Sequence, residues 1–137
     1  MTTVFLDTNI LISGIFFSGR EAELLKLPVR FITSDINVEE LREVTRRKFR
    51  KLHIKVLSVA LKKIDDALYD IDIVHRDMWQ SRYEEAGKYI SGSDQKILAA
   101  VLYSKPDYFV TGDKEFFSLK ISEIINVIRT TELLERF

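Results

Sequence analysis

The stretch Ser93-Asp94-Gln95-Lys96-Ile97-Leu98-Ala99-Ala100-Val101-Leu102-Tyr103-Ser104-Lys105-Pro106, followed by Asp107-Tyr108-Phe109-Val110-Thr111-Gly112-Asp113, decides the fold. Ile97, Leu98, Val101 and Leu102 recur at helical spacing, Ser93 can cap the free amides at the start, and Pro106 enforces the end. The aromatic and β-branched run Tyr108–Thr111 then predicts a strand. A helix feeding directly into a short apolar strand is half of a crossover unit.

Outward from this unit the same alternation repeats. The sequence predicts strands over Thr3–Leu6, Val29–Thr33, Ile71–Val74, Tyr108–Thr111 and Ile124–Ile128. It predicts helices over Ala22–Leu27, Asn37–Phe49, Lys55–Tyr69, Gln80–Lys88, Ser93–Ser104 and Lys114–Leu119, with a last turn near Thr131–Phe137. The strands are continuous apolar runs, as in sheets covered by helices on both faces. Alternating strands and helices imply right-handed crossovers and a parallel α/β sheet. Two prolines, five glycines and no low-complexity linker predict one domain over residues 1–137.

The acids fall where such a sheet binds ligands, beyond the carboxyl ends of its strands and at the point where strand order reverses. Asp7 follows the first strand and Asp113 the fourth. With strand order 3-2-1-4-5, both face one crevice. Asp94 lies in the first turn of the helix leading into strand four, and Glu40 in the first half of the helix after strand two. Four carboxylates converging on one spot require a cation to stay ionised. An all-oxygen set without His or Cys suits Mg²⁺ or Mn²⁺ over Zn²⁺, and suits metal-assisted attack of water on a phosphodiester. Singly, each Asp is also explained as a helix cap and Glu40 as an exposed helix residue. A cap does not explain several acids aimed at one crevice.

At these residues the sequence resembles the PIN-domain family of metal-dependent nucleases. Phe5-Leu6-Asp7-Thr8-Asn9-Ile10-Leu11-Ile12-Ser13 resembles the opening motif of that family, and Ser34-Asp35-Ile36-Asn37-Val38-Glu39-Glu40-Leu41 the second. Asp94-Gln95-Lys96-Ile97-Leu98-Ala99-Ala100 resembles the third, and Val110-Thr111-Gly112-Asp113-Lys114-Glu115-Phe116 the fourth. The resemblance implies a Rossmann-like three-layer α/β/α sandwich with Asp7, Glu40, Asp94 and Asp113 as a catalytic, metal-binding quartet around Mg²⁺ or Mn²⁺. It implies hydrolysis of single-stranded RNA to 5′-phosphate and 3′-hydroxyl ends. Many small members are toxins of VapBC-type toxin–antitoxin pairs, so the expected partners are RNA, a cognate antitoxin and a second copy in a homodimer. By the same matching Asn9 would orient Asp7, and Thr111 would support the metal's water or Asp113, although both segments also read as turns at strand ends. Ser91-Gly92-Ser93 stands where many relatives carry a further acid, which bears on metal affinity or number. Glu115 is a further acid near Asp113, more simply read as an exposed residue.

Composition sets the remaining bounds. The chain has 137 residues, 21 Lys+Arg, 21 Asp+Glu and no Cys. Disulfides, thiolate zinc sites and cysteine nucleophiles are therefore excluded. The longest apolar run, Ile97–Tyr103, is far short of the ~20 residues that span a bilayer. Met1-Thr2-Thr3 leads straight into a strand without a signal-peptide pattern. The expectation is a cytoplasmic protein with no membrane association. A net charge of zero argues against a general nucleic-acid coat, yet Arg42–Lys55 alone carries seven basic residues against Glu43. From this stretch Arg46, Arg47, Lys48, Arg50 and Lys51 are candidates for gripping an RNA backbone, with a solvated helix face as the plainer explanation. Phe16, Phe17 and Tyr83 could stack bases, though core packing is the commoner role. His53 and His75 lack a paired ligand motif.

Two other functions compete with the nuclease. One is a catalytically silent PIN-like module for RNA binding or assembly, against which the retention of all four acids argues. The other is a receiver-type phospho-acceptor domain. That fold needs paired acids after strand one and an acceptor Asp after strand three, whereas here Asp7 stands alone and Val74-His75-Arg76-Asp77 ends strand three.

Overall fold

The computed structural model describes all of residues 1–137. In chain order the elements are β1 (Thr3–Leu6), α1 (Thr8–Phe16), α2 (Arg20–Leu24), β2 (Arg30–Ser34), α3 (Asp35–Phe49), α4 (Ile54–Leu68), β3 (Asp72–Val74), α5 (Arg76–Trp79), α6 (Tyr83–Ala86), α7 (Ser93–Ser104), β4 (Tyr108–Val110), α8 (Leu119–Ser122), β5 (Val127–Ile128) and α9 (Thr130–Leu134). Single 3₁₀ turns cover Gln80–Arg82 and Lys114–Phe117.

The five strands form one parallel sheet in the order β3-β2-β1-β4-β5, as predicted. β1 is central, with Phe5 paired to Ile32 of β2 on one side and to Phe109 of β4 on the other. The period of two along β1 divides the core between two layers. Val4 and Leu6 pack with Ile10 and Leu11 of α1, Leu41 of α3, Ile64 of α4 and Leu133 of α9. Phe5 and Phe109 point the other way, into Trp79, the α7 face and Phe116. There Phe5 meets Phe109 edge-on at 5.5 Å between centroids, and Phe109 meets Phe116 at 4.9 Å. Helices thus cover both faces, giving the three-layer sandwich and explaining why the strands read as unbroken apolar runs.

The structure departs from the predicted elements in several places. The helix predicted over Lys114–Leu119 is a 3₁₀ turn followed by the separate α8, and the strand predicted over Ile124–Ile128 is confined to Val127–Ile128. α1 was not foreseen. Its sequence, Thr8-Asn9-Ile10-Leu11-Ile12-Ser13-Gly14-Ile15-Phe16, is rich in β-branched residues and contains glycine, both weak helix formers. It is helical because Asp7 caps it, accepting from the Thr8 N–H at 2.8 Å, and because Ile10, Leu11 and Ile15 are buried against the sheet. The helix predicted over Gln80–Lys88 is instead three short pieces beginning at Arg76. Finally, Ser93 is the first residue of α7 and not its cap. Gly92 holds the cap position with φ +69°, a left-handed conformation that glycine adopts without strain. α7 does end at Ser104, two residues before Pro106.

Candidate active site

β1 runs out at Leu6, and the Asp7 N–H still bonds the Val110 carbonyl at 3.1 Å. That bond fixes Asp7 over the gap between β1 and β4, the two strands at which the order reverses. The Asp7 side chain is 6% exposed, so each of its oxygens needs partners. Oδ1 accepts from the Thr8 N–H at 2.8 Å and from Asn37 Nδ2 at 3.2 Å. Oδ2 accepts from the Thr111 hydroxyl at 2.5 Å. Thr111 Oγ1 in turn accepts the Asp113 N–H at 3.0 Å, so one hydroxyl links the two acids.

Glu40 arrives from the first half of α3. Leu41 beside it is fully buried, which turns Glu40 toward the crevice, where it accepts from the Thr8 hydroxyl at 3.2 Å. Asp94 enters from the first turn of α7, half-buried and without a capping bond. Asp113 caps the 3₁₀ turn after β4, accepting from the Glu115 N–H at 3.0 Å. Capping therefore describes Asp7 and Asp113 correctly, but it does not describe Asp94 or Glu40.

The electrostatics show that the four acids face one another. Burial pushes the Asp7 carboxyl up, and the charge of Asp113 pushes it further, against the hydrogen bonds that lower it. Glu40 is raised by burial and by the charges of Asp7, Asp94 and Glu43. Asp94 is raised to about 6, first by burial and then by Asp113, Asp7 and Glu115. Mutual repulsion of this kind marks a site whose charge a cation would relieve. The donor set is all carboxylate oxygen, which fits a hard divalent ion. No group of three such side chains stands close enough to chelate one ion in the present arrangement, so binding would require the acids to draw together.

The other predicted positions divide. Thr111 bonds Asp7 and Asp113 as described. Asn9 is exposed and forms no side-chain hydrogen bond; the amide that orients Asp7 belongs to Asn37. Asn37 is fully buried, also donates to Thr8 Oγ1 at 2.9 Å, and bonds the Ser34 hydroxyl that caps α3. The signal for it was present, because Asn37, Leu41 and Thr45 share one face of α3 at a spacing of four. A polar residue on a buried face needs a partner. Ser91, Gly92 and Ser93 are exposed and supply no further acid, and Glu115 is likewise exposed.

Arg46, Arg47, Lys48, Arg50 and Lys51 are exposed and outside every ion pair, whereas Arg42 is held by Asp65 at 3.0 Å. Arg47 lies two turns beyond Glu40 on the same face of α3, about 10 Å along the axis. Arg46, Arg47 and Lys48 also occupy the last turn, where cations complement the helix dipole. His53 caps α4 through Nδ1, which accepts from the Lys55 N–H. Phe16 packs on Phe49 at 5.9 Å, Phe17 is exposed, and Tyr83 lies against Trp79.

A parallel sheet of order 3-2-1-4-5 with acids gathered beyond its central strands defines an α/β protein with an acidic switch-point crevice. More particularly, residues 4–121 match the PIN domain, and the chain belongs to the PIN-domain family. The fold is similar to that of FitAcB from Neisseria gonorrhoeae, with TM-score 0.74 and 20% identity over 93% of this chain and 98% of that one. It is similar to VapBC2 from Rickettsia felis bound to a promoter DNA fragment, with TM-score 0.70 and 18% identity over 93% and 98%. It also resembles Mycobacterium tuberculosis VapC20, described as a sarcin-ricin loop cleaving toxin, with TM-score 0.58 and 18% identity over 82% and 92%. No curated protein sequence is a significant match.

Proposed function

We propose that the chain is an endoribonuclease that uses Mg²⁺ or Mn²⁺ to hydrolyse phosphodiester bonds of single-stranded RNA. The observation that carries this reading is that Asp7, Glu40 and Asp94, acids from three separate elements, are each raised by burial and then by the charge of another acid of the group. Asp7, Glu40, Asp94 and Asp113 would hold the ion. When bound, it neutralises their charge and polarises the phosphoryl oxygen and the attacking water. Asp7 is oriented from two sides by Asn37 and Thr111, and Thr111 also fixes the backbone that carries Asp113. Arg46, Arg47, Lys48, Arg50 and Lys51 would receive the phosphate backbone on its way to the crevice. Family membership and the likeness to an RNA-cleaving toxin support this reading.

The likeness to VapBC and FitAcB chains further supports a toxin of a toxin–antitoxin pair, with an antitoxin partner and a homodimer. No helix is long and apolar enough to cross a membrane, and we place the protein in the cytoplasm.

The test is cleavage of a labelled RNA with Mg²⁺, Mn²⁺ or EDTA, with end analysis of the products. Cleavage with a metal, giving 5′-phosphate ends, is the expected result. A folded protein inert with both metals would instead be a silent RNA-binding or assembly module.

A further inference from the structure

Beside the acidic crevice lies a cavity of about 370 Å³ whose walls include Ile36, Glu39, Arg76, Trp79, Tyr83 and Lys96. It shares two helices with the crevice. Glu39 precedes Glu40 on α3, and Lys96 follows Asp94 by two residues on α7. Successive residues on a helix point about 100° apart, so α3 presents Glu40 to the acids and Glu39 to the cavity. α7 divides Asp94 and Lys96 in the same way.

The aromatic wall is braced in place. Trp79 is 3% exposed and its indole N–H donates to Asp35 Oδ1 at 2.8 Å, while Asp35 Oδ2 accepts the Arg76 N–H at 2.9 Å. Gln95 of α7 donates to the Tyr83 carbonyl at 3.0 Å. The rings of Trp79 and Tyr83 lie 6.1 Å apart, with Tyr83 half-buried. The cavity is thus preformed, and its volume falls within the range of small-molecule sites. Asp35, which also lines the cavity, is committed to the two hydrogen bonds from Trp79 and Arg76, but the other charged side chains of the wall are outside every ion pair. The ion pairs of the protein are Arg30–Asp72, Arg42–Asp65, Lys62–Asp66 and Arg82–Glu85, which leaves Arg76, Lys96 and Glu39 without partners.

We propose that this cavity is a nucleotide-binding subsite, in which Tyr83 stacks on a base and Arg76 and Lys96 hold its phosphate. A half-exposed aromatic ring that lines one cavity with two unpaired cations is the pattern that binds single-stranded nucleic acid without base pairing. The assignment of the bound nucleotide as the one flanking the cleaved phosphate rests on the ribonuclease reading. Nucleotide binding itself needs neither metal nor cleavage.

Trp79 is the sole tryptophan of the chain and lies in the cavity wall, so its fluorescence reports on this site alone. The experiment titrates the intact protein in EDTA with each nucleoside 5′-monophosphate. Excitation is at the red edge of the tryptophan band, with the residual nucleotide absorption corrected by a parallel titration of free tryptophan. The expected result is a saturable change at millimolar concentrations or below, much weaker with ribose 5-phosphate. Tyr83→Leu should raise Kd about 5- to 100-fold, the range that base stacking on an aromatic ring gives, and Tyr83→Phe should leave it unchanged. Thermal melting of both variants confirms that they fold.

The absence of a saturable change, an equal response to ribose 5-phosphate, or an unaltered Kd in Tyr83→Leu would each overturn the subsite. Cleavage assays on the same preparations separate the two ideas. Nucleotide binding without metal-dependent cleavage sinks the ribonuclease and keeps the subsite. Cleavage with no nucleotide response does the reverse.

Discussion

Asn37 donates its side-chain amide to Asp7 Oδ1 at 3.2 Å, across thirty residues of chain and from a fully buried position. The same nitrogen reaches Thr8 Oγ1, so a single amide joins the cap of α1 to the first turn of α3. Asn37→Leu keeps the branching of the side chain but leaves buried oxygens short of a donor. It should cost about 1–3 kcal/mol of stability, read as a lower urea midpoint at unchanged m-value. The corresponding change at exposed Asn9 should cost less than ~0.5 kcal/mol.

Thr111→Val is nearly isosteric and removes the hydroxyl shared by Asp7 and Asp113. If that hydroxyl positions the acids, Mn²⁺ affinity or cleavage should fall about 10- to 100-fold. Calorimetric titration with Mn²⁺ gives the affinity directly, and an unchanged value would remove Thr111 from the site.

Asp94→Asn and Asp113→Asn each remove one charge from the acidic group. Cleavage of single-stranded RNA should fall by more than the roughly 100-fold that loss of an outer partner costs. The two variants should nevertheless stay folded. Asp94→Asn should melt higher than the parent at pH 7 without metal, because it relieves repulsion by Asp7 and Asp113.

The raised carboxyls give the metal-free protein a pH dependence of defined sign. Asp94 ionises at its ordinary 3.8 in the unfolded chain and at about 6 in the folded one. Between those values the folded state holds the extra proton, so stability falls as pH rises from about 4 to about 6. Asp7 and Glu40, also raised, contribute in the same direction. For Asp94, half-buried and so partly screened by solvent, the penalty is about 1 kcal/mol, or roughly 4 °C in Tm. Mn²⁺ should restore the loss, raising Tm more at pH 7 than at pH 5. Thermal scans at both pH values, with and without Mn²⁺, check this.

Exposed cations on α3 and beyond it should govern affinity and leave the acids untouched. Replacing Arg46, Arg47 and Lys48 by Gln should weaken RNA binding and flatten its salt dependence. The slope of log K against log salt should drop by up to about 2, near 0.7 for each lost phosphate contact on a single strand. An unchanged slope would assign these residues to the helix dipole alone.

The sheet order and the acidic crevice were legible because they depend on coarse patterns. Short apolar strands such as Val4-Phe5-Leu6 and Phe109-Val110, separated by amphipathic helices, leave few ways to wind the chain. What stayed hidden was local structure set by distant contacts. α1 has the composition of a strand and is made helical by the Asp7 cap and by burial of Leu11. The resemblance of the opening motif assigns the orienting of Asp7 to Asn9. In the fold α1 carries it to the surface, and the role passes to Asn37, which only pairing of β1 with β2 brings near. The short helices around Trp79 carry too few residues to show a period at all.

The central place of β1 has a consequence for biosynthesis. Asp7 leaves the ribosome before its Oδ2 partner Thr111 and the neighbouring acid Asp113, which follow more than a hundred residues later. Until β4 is translated and docked, one edge of β1 is bare and the acidic group is incomplete. Chains emerge at about 5–20 residues per second, so this interval lasts several seconds. For a protein proposed to cut RNA, drawing the acidic group from residues so far apart means that the proposed metal site is unmade on the nascent polypeptide until β4 has docked.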